Sequence, residues 1–450
     1  MATRTHRFRT SRVRLGNMFT PTAPRLRLRW EMAFLALALV CTSSRAHAVP
    51  HPGARHAPRL IVGYFNNSSL YSNTPFYVKN LLTSGSAARL NQINYASASV
   101  RNGRCSLADP VADLETTYTP ENSVNGTADD PSSSFRGYFH QLEELKRKYP
   151  RLRLLISLEG RASDFAIDAR PEYRAAFVAS CVNLYLRGEF ADGVKRPHLF
   201  DGIDVDWESP LQEDAANFHA LIAEFRKQMN AVRPGLTLSI AVNESPTAFP
   251  GTDFAALEPL VDQVGVMNYD YAGPWSKTTG FLAPLFADSP EAGHKASIQR
   301  SIASYKAAGI PARKLLMGLP FYGYGWTEVS DANNGLFQSG QAMHGDHPYH
   351  AIRALAPSSQ VFRDPLSQAP WLFDGQDFWT YEDPTSVMYK VSYASRQGVG
   401  GVMIWELSGD TADAELLNTA YHALRQPLHQ RVFVGAMAGM LTVPPSSGSQ

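Results

Sequence analysis

Short β-rich apolar runs recur along the chain, and most are followed by a stretch with helical periodicity. The runs are RLIVGYF (59–65), NQINYAS (91–97), LRLLISL (152–158), FDGIDVDWE (200–208), LTLSIAV (236–242), VGVMNYD (264–270), KLLMGLPFYG (314–323) and GGVMIWEL (400–407). Helical patterns fall at 136–148, 171–187, 213–230, 294–308, 386–397 and 413–425. In the third of these, Phe218, Leu221, Ile222, Phe225 and Met229 recur at three- and four-residue steps and form an amphipathic stripe. Eight strands alternating with helices predict an α/β fold with a parallel sheet. Eight is also the number that closes a (β/α)8 TIM barrel.

One connection is too long for this scheme. From Trp326 to about Tyr381 the chain is rich in Gly, Asp, Ser, Pro and aromatics, and it reads as hairpins rather than helix. It is expected to form a small α+β insertion, 326–381, between the seventh and eighth strands. The loop 98–134 is also long and ends in a polar stretch, NSVNGTADDPSSS. The expected boundaries are a barrel over 49–430 and a tail over 431–450. No internal repeat or separate binding module is visible.

Charge changes the picture at the N-terminus. Residues 1–48 hold nine Lys or Arg and one acid, Glu31; without them 33 basic residues face 40 acidic ones, a net −7. An acidic body does not suit a phosphate backbone, so no nucleic-acid partner is expected. The apolar run Met32–Cys41 follows RLRLRW and precedes a small-x-small site at Ala46–Ala48. This order describes a secretory signal peptide over 1–48, and ten apolar residues are too few to span a bilayer. The expected protein is therefore secreted, extracellular or periplasmic, without stable membrane insertion, and a monomer. Export would leave Cys105 and Cys181, either as one disulfide or as two unpaired thiols. No metal-ligand spacing of Cys or His is visible, and neither a metal nor a cofactor is expected.

The run FDGIDVDWE carries four acids in nine residues. Side chains alternate along a strand, so Asp204, Asp206 and Glu208 share one face while Ile203, Val205 and Trp207 share the other. In a closed barrel the apolar face meets helices, and the acids must point inward. Buried carboxylates are costly unless protons are shared, so the row belongs near the open C-terminal mouth, where barrel enzymes place their chemistry. A solvent-facing acidic edge is one alternative, and a divalent-metal site is another. Acid catalysis is the reading preferred here. Crowded carboxylates raise one another's pKa, and the last one stays protonated as a donor. Asp201 has the wrong parity for the inner face and is assigned to the strand start.

DGIDVDWE has the DxxDxDxE form of glycoside hydrolase family 18, the chitinases and their relatives, and the chain resembles that family from about residue 59 to 425. VGYF and INYASASV resemble its first and second strands, and MNYDYAGPWS resembles the sixth-strand motif of exo-acting bacterial chitinases. MGLPFYGYGW, YEDPTSVMYK and GGVMIWEL resemble its later elements. The resemblance implies a retaining, substrate-assisted mechanism acting on chitin or N-acetylglucosamine oligosaccharides. It makes Glu208 the acid, Asp206 the stabiliser of the substrate's acetamido group and Asp204 its proton-sharing neighbour. Tyr269 would donate its hydroxyl to the acetamido group, with Met267 and Asp270 lining the same pocket. Trp405 would form the floor beneath the sugar, Tyr64 would sit at the cleft floor, and Trp275 would stack on the leaving-group side.

The third strand departs from the family's usual Ser-x-Gly-Gly. Ser157 and Gly160 match, but Glu159 replaces a glycine and Arg161 stands where Trp is common. Parity turns Glu159 inward. It either joins the acid row or pairs with Arg161 at the rim, and the rim pair is the preferred expectation. Tyr324 occupies a place often held by Arg. Two other functions fit the same fold. One is an endo-β-N-acetylglucosaminidase acting on N-glycans or peptidoglycan, which a deep cleft walled by the insertion argues against. The other is a chitin-binding lectin, which the presence of Glu208 argues against.

Overall fold

A computed structural model describes residues 59–287 and 296–426. The expected signal peptide and the 431–450 tail lie outside the described residues. Eight parallel strands close on themselves: β1 (Leu60–Asn66), β2 (Gln92–Arg101), β3 (Arg153–Glu159), β4 (Gly202–Asp206), β5 (Thr237–Val242), β6 (Gln263–Val266), β7 (Leu315–Pro320) and β8 (Gly401–Trp405). Each pairs with the next, and β8 pairs with β1, so the barrel has no free edge. This is the (β/α)8 barrel that the periodicity predicts.

The main outer helices are α1 (Gly137–Lys148), α2 (Pro171–Cys181), α3 (Ala215–Val232), α4 (Ile298–Ala307), α5 (Pro384–Arg396) and α6 (Glu415–Arg425). Local chemistry sets their starts. The Ser297 side chain accepts from Arg300 N to cap α4, and Asp383 caps α5 just before Pro384 at its first position. The α3 stripe is buried as expected, at Phe218, Leu221, Ile222, Phe225 and Met229. It meets the apolar face of β4, where Trp207 lies 5.6 Å from Phe218 and stacks on Phe165 at 5.5 Å. Gly202 opens β4 because any Cβ there would fall 2.0 Å from Thr237 O.

Two strands end earlier than the apolar pattern suggests. β6 stops at Val266, whereas the pattern runs to Asp270. Asn268 is buried and turned to local partners, donating to Ser301 Oγ at 2.5 Å and accepting from Gly318 N at 3.3 Å. Asp270 then adopts a left-handed conformation with φ 63°. β4 likewise stops at Asp206, and Glu208 stands on the following loop. The seventh run also divides. β7 ends at Pro320, and the chain enters Tyr322–Thr327, the second strand of an antiparallel sheet. Its other strands are Gln341–Ala342, His347–Pro348, Gln360–Arg363, Pro370–Phe373 and Phe378–Thr380, with one helix at Tyr349–Leu355.

The cysteines are joined. Cys105, on the hairpin strand Arg104–Leu107, is bonded to Cys181 at the end of α2, with Cα atoms 4.9 Å apart. The bridge spans 76 positions and ties the β2 hairpin to an outer helix. Cross-linking so long a loop restricts the unfolded chain. Cys105→Ser should therefore cost about 2–4 kcal/mol, read as a lower urea midpoint with a steeper slope, because the unlinked chain unfolds to a more open state. A midpoint equal to that of the parent protein would show that the bridge adds nothing. Among the described residues no helix is long and apolar enough to cross a membrane.

Candidate active site

The parity argument places Asp204 and Asp206 on the inner face of β4, and the contacts agree. Asp204 is 0 % exposed. Its Oδ2 accepts from Tyr64 OH on β1 at 2.7 Å and from Ser157 Oγ on β3 at 3.1 Å. Burial raises its pKa, opposed by hydrogen bonds from Tyr64, Ser239, Ser157 and Asn94. Asp206 is pushed well above the carboxylate range, first by burial and then by the charges of Glu208, Asp204 and Glu159. Asp204 Oδ1 and Asp206 Oδ1 are closed off from water and meet no donor. Neighbouring buried carboxylates in this state are tolerable when they hold protons between them.

Glu208 follows two residues later and is exposed to the cleft, so substrate and water can reach it. Its pKa is raised first by the protein surrounding it and then by the charge of Asp270. A carboxyl that keeps its proton to higher pH than usual, at an accessible position, suits general acid catalysis. Tyr269 is buried and its hydroxyl is pushed well above its ordinary value, first by burial and then by Asp206, Asp270, Glu208 and Asp204. It therefore remains a hydrogen-bond donor that faces the acids.

Asp206, Glu208 and Tyr269 line one cleft of about 1520 Å³ at the C-terminal ends of the strands, and Asp204 lies buried behind Tyr64 in its wall. Tyr64, Met267, Asp270 and Trp405 line it as well. The Tyr64 and Trp405 rings are tilted together at 5.3 Å, forming an aromatic corner between β1 and β8. Trp275 is 61 % exposed at the rim, edge-on to Tyr324 at 5.4 Å. The structure thus brings all nine singled-out side chains to one mouth, Trp275 at its margin.

The departures behave differently from one another. Glu159 does turn inward and lines the cleft. The expected rim pair with Arg161 is not formed. β3 ends at Glu159, and Arg161 already stands at the N-cap position of the helix Ala162–Asp168, its side chain exposed at the cleft rim. Arg161 instead holds Asp164 through two bonds, at 2.9 and 3.0 Å. Glu159 is left with Ser97 as its hydrogen-bond partner, and burial raises its pKa. Tyr324 donates to Asp270 Oδ1 at 3.1 Å, alongside Tyr322 at 2.6 Å. Two hydroxyls therefore orient Asp270. Asp201 anchors the start of β4 as its parity implies, accepting from Leu154 N at 3.0 Å and pairing with Lys146 at 2.7 Å.

Several cleft residues escaped the reading of the sequence. Tyr322 could have been found, since it shares strand parity with Tyr324. Asn94, Ser97 and Ser239 are ordinary polar residues within strand-like runs and gave no signal. Glu406 is half-buried, with its pKa pushed up to about 7 by desolvation first and Asp346 among the charges. Among the described residues no group of three or more His, Cys, Asp or Glu side chains is disposed as metal ligands are. Asp204 Oδ2 is already occupied by hydroxyl donors.

The profile of the glycosyl hydrolases family 18 matches residues 60–410. Chitinase C of Streptomyces lividans is 33% identical over 376 residues, which cover 79% of this chain and 58% of that protein. Chitinase 63 of Streptomyces plicatus is 31% identical over 398 residues, 84% of this chain and 62% of that protein. The chain thus spans less than two thirds of the length of these relatives. Among solved structures, the catalytic domain of psychrophilic chitinase B from Arthrobacter TAD20 superposes with a TM-score of 0.76 at 30% identity. The match covers 82% of this chain and 96% of that domain. Taken with a closed barrel whose fourth strand points its acids into the mouth, these likenesses show that the chain belongs to glycoside hydrolase family 18.

Proposed function

We propose that the protein is an exported chitinase that hydrolyses β-1,4 bonds in chitin or its oligosaccharides with retention of configuration. The observation that carries this reading is the row in which a buried Asp204 is followed by Asp206, half-buried at the cleft with one oxygen withdrawn from water, and by an accessible Glu208 with a raised pKa. A neutral donor and a carboxylate able to become anionic stand side by side. That is the pair a substrate-assisted glycosidase requires, and it differs from the two separated carboxylates of most glycosidases. The relatives named as chitinases and the disulfide, which belongs to an oxidising compartment, support the substrate class and the export.

The residues take these roles. Glu208 gives its proton to the glycosidic oxygen as the C1–O bond breaks. The acetamido carbonyl oxygen of the substrate attacks C1, forming an oxazolinium ion. Asp206 passes its proton to its carboxyl neighbours and, as the anion, accepts from the acetamido N–H. Tyr269 donates to the acetamido oxygen, and Trp405 with Tyr64 packs under the ring, whose C–H faces suit aromatic surfaces. Glu208, now a carboxylate, takes a proton from water, which opens the oxazolinium ion from the face the leaving group left.

The test is hydrolysis of defined N-acetylglucosamine oligomers followed by proton NMR during the first turnovers. The β anomer should appear first. The α anomer appearing first, or a trapped glycosyl ester on the enzyme, would overturn the mechanism. Equal or faster release of glycans from a glycoprotein would move the assignment to an endo-β-N-acetylglucosaminidase. Binding of the oligomers without any new reducing ends would make the protein a lectin.

A further inference from the structure

We propose that Glu159 is a third member of the proton-sharing carboxyl row formed by Asp204 and Asp206, and a positioning residue that gives the Asp206 proton a second place to rest. The parallel register of β3 and β4 sets Ser157 beside Asp204 and Glu159 beside Asp206. Ser157 Oγ reaches Asp204 Oδ2 at 3.1 Å, so in-register partners on these two strands meet on the inner face. The same pleat carries Glu159 to the level of Asp206, and both line the cleft.

Each of the three carboxyl groups has one oxygen withdrawn from water with no donor: Asp204 Oδ1, Asp206 Oδ1 and Glu159 Oε1. As anions, all three would be costly. A proton held among them supplies the missing donor to one oxygen after another, and nothing else is consumed. Other groups bear on the same point. Glu208 after β4 and Glu406 after β8 add negative charge facing Glu159. Tyr64 and Tyr269 face the row with neutral hydroxyls, and Ser97 bonds to Glu159 itself. The two arginines at this end of the cleft, Arg101 and Arg161, face Asp164 instead.

The consequence is a change in when the row loses its last proton. With two carboxyls, that loss leaves two charges; with three, it leaves three at the same point of the cleft wall. The last macroscopic step therefore moves to higher pH. While the proton rests on Glu159 or Asp204, Asp206 is the anion that a developing cation needs. The kinetic consequence rests on the glycosidase reading above, but the protonation does not.

Two measurements separate these. Infrared titration of the carboxyl C=O absorption follows the row without substrate. The pH dependence of kcat/KM on N-acetylglucosamine oligomers follows it during turnover. Glu159→Gln keeps shape and the Ser97 contact. It should move the last carboxyl titration and the alkaline limb to lower pH by about half a unit or more. Glu159→Ala should do the same, which excludes an effect of the new amide, and it decides the question if Glu159→Gln fails to fold. Infrared titrations unchanged from the parent in both variants, with normal hydrolysis, would overturn the inference and leave the proposed function standing. Shifted titrations in a protein that cleaves no oligomer would support the inference and overturn the proposed function.

Discussion

Glu208→Gln should lower kcat on N-acetylglucosamine oligomers by about 10²–10⁴-fold or more, while oligomer binding stays close to that of the parent. The side chain stands past the end of β4 and is exposed to the cleft, so the amide fits the same space without disturbing the buried row. What is lost is the proton. The leaving alcohol of a glycosidic bond departs poorly as an alkoxide, and the raised pKa of Glu208 keeps a proton ready for it. An amide has none to give at any working pH. The pH profile provides an internal check. In the parent, the alkaline limb falls as Glu208 and its carboxyl neighbours lose their protons. In the variant, residual activity should no longer follow that limb. Single-turnover kinetics and calorimetric binding measure both quantities, and turnover within ten-fold of the parent would remove Glu208 from the acid role.

The barrel was legible because two physical periods repeat along the chain. Inward and outward positions alternate in β4, so Ile203, Val205 and Trp207 read as core and the acids as interior before any coordinates. The helical stripe of α3 was legible for the same reason. Parity fails where a strand ends, and the errors sit there. The sixth strand-like run reads on to Asp270, yet hydrogen bonding by Asn268 ends β6 at Val266. Glu159 was correctly turned inward, but its partner was sought in Arg161, two residues on, where a helix had already begun. Contacts made across long separations are not decided by the pattern. Tyr322 and Tyr324 grip Asp270 from more than fifty positions away, and the bond between Cys105 and Cys181 across 76 is one of two alternatives that the sequence leaves open. The catalytic row is local in sequence; the groups that orient its neighbours are local only in space.

Asp206→Asn should produce the second large loss, about 10²–10³-fold in kcat, because it removes charge stabilisation while leaving shape. Asp206 lies between Asp204, which is buried and held by Tyr64 and Ser157, and Glu208, which faces the cleft. In the resting row the anion is disfavoured, since burial and three carboxyl neighbours oppose it. Once positive charge develops on the acetamido nitrogen, the balance reverses, and the anion becomes the favoured form next to that charge. The interaction is therefore weak in the ground state and strong in the transition state, so its loss falls on kcat rather than KM. A thiazoline analogue carries the ring of the proposed intermediate and should bind more weakly to Asp206→Asn by a comparable factor, whereas plain oligomers should bind almost unchanged. Asp201→Asn is the control. That carboxylate anchors the start of β4 through Leu154 N and Lys146, so its loss should lower the urea midpoint and leave kcat near that of the parent. Equal losses of oligomer and thiazoline binding in Asp206→Asn would show that Asp206 shapes the pocket rather than answering the charge that forms in it.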